Sequence, residues 1–113
     1  MKKILTVTAL AIFATAAHAK TYSKEEIENA VCVDVGDYAY AAATDRDNGE
    51  YEADELQRVE ENGHTQKLSP SVIKGYQTVV RRVYEEKQFQ DVTPKEARFI
   101  EVNDCHARLA QKK

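Results

Sequence analysis

The chain reads as all-α: a small bundle of three main helices plus one short helix, stapled by a disulfide between the first and last helices. Three observations predict it. Ser23, Ser69 and Thr93 each follow an apolar residue and precede a helical pattern, with Pro70 or Pro94 at the first helical position or Glu26 or Glu96 placed to close a capping box. The apolar residues that come next recur at steps of three and four instead of alternating. Cys32 lies in the first of these patterns and Cys105 in the last.

Residues 1–19 read as a signal peptide. Lys2 and Lys3 precede the apolar run from Ile4 to Ala17, and Ala17-His18-Ala19 supplies an A-x-A cleavage site, so the mature chain is expected to begin at Lys20. That run is too short to span a bilayer, and the rest of the sequence shows no second one. The expected location is therefore the periplasm, and residues 20–113 form a single domain. In an oxidising compartment an even cysteine count is most simply one bridge, ahead of a reactive thiol or a metal thiolate.

The first helix is expected over Lys24–Asp47, with Ile27, Val31, Val35, Tyr38 and Ala42 as its apolar stripe. Beside the stripe, Cys32, Gly36, Ala39 and Ala43 are small enough for another helix to approach closely. Asn48-Gly49 ends it. A short peripheral helix follows from Tyr51 to Glu61, anchored only by Leu56 and Val59 and halted by Asn62-Gly63. The third helix, Ser71 to about Glu86, carries Val72, Tyr76, Val79 and Val83 at helical spacing. After a connector with Phe89, the last runs from Lys95 to about Ala110, with Phe99, Val102 and Leu109 on one face and Cys105 beside it.

Charge is divided unevenly. Residues 20–61 hold thirteen acids against four bases, and residues 62–113 hold ten bases against six acids. A chain of net charge −3 argues against nucleic acid as a partner. Lys74, Arg81 and Arg82 are placed to meet the acidic half. Among the tyrosines, Tyr38, Tyr76 and Tyr84 suit the edge of the core, and Tyr40 and Tyr51 lie off the stripes, free to bind.

No catalytic set can be assembled. Phosphate-loop, H-E-x-x-H and G-x-S-x-G motifs are missing from the sequence, and the Ser and Thr residues at helix starts are engaged as caps. His64 and His106 have no partner at ligand spacing and read as surface residues. The acidic run from Asp45 invites comparison with an EF-hand, but the register fails: Gly49 falls at the fifth position where the motif needs the sixth, and Leu56 stands where the bidentate Glu belongs. No cofactor or metal is expected.

Cys32 with Gly36, Arg46-x-x-Gly49, the Val80/Val83-Tyr84 helix end, Thr93-Pro94 and a final helix bearing Cys105 form a pattern that resembles the short, exported, single-disulfide helical proteins of Gram-negative bacteria and prophages. In plan the chain is more loosely similar to periplasmic type VI immunity proteins and to periplasmic acid-stress chaperones. The resemblance implies a helical fold and carries over no functional residues. Taken with the export signal and the lack of a catalytic set, it leads to the expectation of a non-enzymatic binding protein, an immunity-like inhibitor of a periplasmic toxin or hydrolase. The partner is another protein, met at the acidic loop by Asp45, Asp47, Glu50, Tyr51 and Glu52. The alternative is an acid-stress chaperone loosened when its carboxylates are protonated.

Overall fold

The computed structural model describes residues 21–112, so the expected signal peptide lies outside the described residues. Four α-helices follow in order: α1 (Lys24–Asp47), α2 (Glu52–Thr65), α3 (Pro70–Glu85) and α4 (Pro94–Gln111), with one 3-10 turn, Lys87–Phe89, between α3 and α4. The caps form as the sequence dictates. Ser23 Oγ accepts from the Glu26 amide at 3.0 Å while Glu26 Oε1 accepts from the Ser23 amide at 2.9 Å. Thr93 and Glu96 close the same reciprocal pair at the head of α4, and Ser69 Oγ takes the Val72 amide behind Pro70. Each cap satisfies amides that the first turn leaves without partners.

The small-residue face of α1 decides how the bundle closes. A Cβ at Gly36 would sit 2.5 Å from Val102 Cγ2, so α4 lies closer to α1 than any side chain there would permit. The two helices run antiparallel and form the most extensive contact in the fold, joined by Cys32 and Cys105 with Cα atoms 5.5 Å apart. A bridge across 73 residues removes roughly 4 kcal/mol of unfolded-chain entropy. Helix α3 lies alongside α1, with Tyr38 and Tyr76 stacked at 4.0 Å between ring centroids. Together Ala39, Ala42, Ala43, Val59, Val79, Val80, Val83, Ala97 and Phe89 make the core.

Three expectations are corrected. The stripe foreseen on α1 is only partly the buried one: Val35 and Tyr38 are half-buried and Ala42 is buried, but Ile27 and Val31 are exposed. Val31 lines an open groove beside α3, and α4 takes the face of Cys32, Gly36, Ala39 and Ala43, where two backbones can approach. On α4, Phe99 is 68% exposed, and the buried face is Ala97, Glu101 and Cys105. Two arginines draw Glu101 inward, so a pattern that treats glutamate as surface misplaces this face.

Helix α2 also runs through Asn62-Gly63 to Thr65. A Cβ at Gly63 would collide with Ile73, so this glycine serves contact between α2 and α3 and is no stop. The helix ends instead at Lys67, in the left-handed region at φ 61°, with Leu68 N bonded to Gly63 O at 2.9 Å and Lys67 N to His64 O at 3.0 Å. That is the Schellman pairing without its usual glycine.

Candidate functional site

The acidic corner between α1 and α2 is built by a helix ending of the ordinary kind. Gly49 takes φ 88°, Glu50 N bonds to Asp45 O at 2.9 Å and Gly49 N bonds to Arg46 O at 2.9 Å. The same Schellman geometry turns the chain and satisfies the last carbonyls of α1. Across the corner, the Tyr84 hydroxyl donates to Glu50 O at 3.0 Å and ties the turn to α3. Burial first, and then the charges of Glu55, Asp45 and Glu50, push the Tyr84 phenol up to about 12, so it stays a donor.

The five residues expected at this loop separate into two groups. Asp47 and Tyr51 face outward, Tyr51 with 76% of its surface exposed. Asp45, Glu50 and Glu52 are half-buried and engaged within the protein. Asp45 and Glu50 gather with Glu55 so that one oxygen of each lies within 4.8 Å of the others, a spacing that could hold a cation. Arg58 stands among them and supplies the positive charge. Its guanidinium pairs with Glu50 and lies 3.4 Å from Glu55 Oε1 and 3.8 Å from Asp45 Oδ2.

Glu55 is the member the sequence did not single out. It is 6% exposed, and its Oε1 makes no hydrogen bond. Its carboxyl is pushed up to about 7, by burial first, then by a hydrogen bond and the charge of Asp45, with Arg58 opposing. Glu52 is also raised to about 7, by desolvation first, then by a hydrogen bond and the charge of Glu85, while Arg81 opposes. The corner thus holds two pairs of carboxyls, each placed to share a proton.

The remaining charges are arranged differently from the sequence expectation. Arg82 does not reach the acidic half. Its guanidinium holds Glu86, Glu101 at 2.6 Å and Asp104 at 2.5 Å, all in the basic half, and Arg108 meets the other oxygen of Glu101 at 3.0 Å. Burial raises the Glu101 carboxyl from its ordinary value, and Arg108 and Arg82 oppose it. Arg81 does act on the acidic half, where its charge opposes the rise at Glu52, although neither it nor Lys74 forms a close ion pair among the described residues. Tyr40 is covered by the Arg98 guanidinium, 4.4 Å from its ring centre, which leaves Tyr51 as the open tyrosine of that pair. His64 and His106 are both exposed.

Compared with known proteins, the chain matches no family model, and no curated protein or solved structure is significantly similar to it. Among the described residues, no helix is long and apolar enough to cross a membrane.

Proposed function

We propose that this is an exported, non-enzymatic binding protein that presents the α1–α2 corner to a basic surface on another protein, as an immunity-like inhibitor of a periplasmic toxin or hydrolase does. The observation that carries this reading is Tyr51. An aromatic ring 76% exposed, on a turn pinned by Gly49 and by the Tyr84 hydroxyl, is an anchor whose ordering has already been met by folding. Around it, residues 45–58 hold six carboxylates and two arginines. Such a field steers a cationic partner and fixes its orientation.

The acid-stress reading requires carboxyls held below their ordinary range by pairing. Glu52, Glu55 and Glu101 are displaced the other way, so that reading draws no support from the titrating groups. The deciding experiment measures inhibition of a toxin or hydrolase encoded beside this gene. Stoichiometric inhibition is expected, weakened by Tyr51→Ala at least about tenfold, the ordinary loss at an aromatic anchor. Activity left untouched by the protein, or inhibition that survives Tyr51→Ala combined with Asp47→Lys, overturns the proposal.

A further inference from the structure

Three helices leave a groove open at the end of the molecule away from the acidic corner. It encloses about 640 Å3 between the first half of α1, the first half of α3 and the last turns of α4. Clefts that take small ligands run from roughly 300 to 1,000 Å3. Its walls are apolar, formed by Val31, Val35, Val72, Val79 and Leu109. Charge enters along one side. The buried Arg82–Glu101 pair lies within it, while Arg108, half-exposed with a single bond to Glu101, and the exposed Lys112 close one edge. Arg82 is matched by Glu86, Glu101 and Asp104, so the positive charge the groove offers lies at its edge, on Lys112 and the exposed side of Arg108.

Gly75 is the second observation. Of the four glycines, Gly49 is explained by its positive φ, and Gly36 and Gly63 by neighbours that a Cβ would strike. Gly75 has neither reason: it sits inside α3, where glycine is among the least favourable residues, and the space its Cβ would fill is empty. That space is part of the groove. A side chain here would strengthen the helix and narrow the cleft.

We infer that the groove is a binding site for a single-chain fatty acid, its hydrocarbon along the valines and its carboxylate at Arg108 and Lys112. An apolar trough with cations gathered at one edge matches a ligand that is apolar along its length and anionic at one end. The site lies apart from the corner, so its test is independent of the partner-binding proposal.

Isothermal titration of the purified protein with laurate, below the concentration at which laurate forms micelles, should show one site. Gly75→Leu should weaken binding by at least about tenfold, since the new side chain occupies the trough, while the melting temperature holds or rises. Lys112→Glu, an exposed change that leaves the fold intact, should weaken laurate by about threefold to fivefold and leave dodecanol unaffected. No laurate binding, or binding undiminished in both variants, overturns the inference. So does dodecanol binding as tightly as laurate, which would remove the anionic head from the argument. Sedimentation showing a dimer that Gly75→Leu separates, with no laurate bound, would assign the groove to a second copy of the chain and overturn it as well.

Discussion

Arg46 holds together a part of the chain that has little regular structure of its own. Its side chain is 20% exposed, and its guanidinium donates to Val83 O at 3.1 Å, Phe89 O at 2.8 Å and Val92 O at 3.1 Å. These carbonyls belong to the end of α3, the 3-10 turn and the approach to α4, where no following turn of helix supplies amides. Only a planar fork with several donors serves three carbonyls at once. Behind it, Phe89 is fully buried, so the same residue fixes the connector over the core. Arg46→Ala should therefore lower stability by about 3 kcal/mol, and Arg46→Lys by about 2 kcal/mol, because an ammonium on one stem cannot span all three acceptors. Urea midpoints measure this. A loss under about 1 kcal/mol for Arg46→Ala would mean that water takes over the carbonyls without penalty.

Helix starts are legible in this sequence, whereas a stop set by tertiary contact is not. Ser23, Ser69 and Thr93 placed α1, α3 and α4 to within about a residue at their starts. Helix α2 starts behind Tyr51 even without a side-chain cap, but it runs four residues beyond Glu61, where Asn62-Gly63 resembles a stop. Local chemistry could not reveal that Gly63 is occupied by contact with Ile73, which depends on where α3 lies. The same limit hid the buried face of α4 and the role of Arg46, since charged residues enter the interior only when distant partners meet them. The outward members of the corner, Asp47 and Tyr51, were legible because exposure there follows from a helix end and a turn. The true stop makes a prediction at this scale. Lys67 occupies a left-handed conformation that burdens an L side chain by roughly 1–2 kcal/mol, partly offset by the backbone entropy glycine loses. Lys67→Gly should raise stability by about 0.5 kcal/mol. A thermal midpoint that falls would place the Lys67 stem in a packing role instead.

At the scale of the whole molecule the two carboxyl pairs join elements: Asp45 of α1 with Glu55 of α2, and Glu52 of α2 with Glu85 of α3. Protonating one member of each removes a repulsion between helices, so the corner tightens in mild acid. The direction follows from linkage. Glu52 and Glu55 titrate at about 7 in the folded protein against an ordinary value of 4.5, so between these limits the folded state binds more protons than the unfolded chain. Their stabilisation is complete below the ordinary value and is lost as the pH rises through about 7. Melting at about pH 5 should thus occur at a higher temperature than at about pH 8, over a range where ion-paired carboxylates of lowered pKa, which lose their stabilisation only below about pH 5, leave stability unchanged. Glu55→Gln separates this effect from the other charges. It removes the charge that burial opposes, so at about pH 8 the variant should melt above the unsubstituted protein, and its dependence on pH should flatten. A midpoint that falls between about pH 8 and pH 5, or a Glu55→Gln variant whose pH slope is unchanged, would show that Arg58 alone neutralises the corner and that the carboxyls do not share protons.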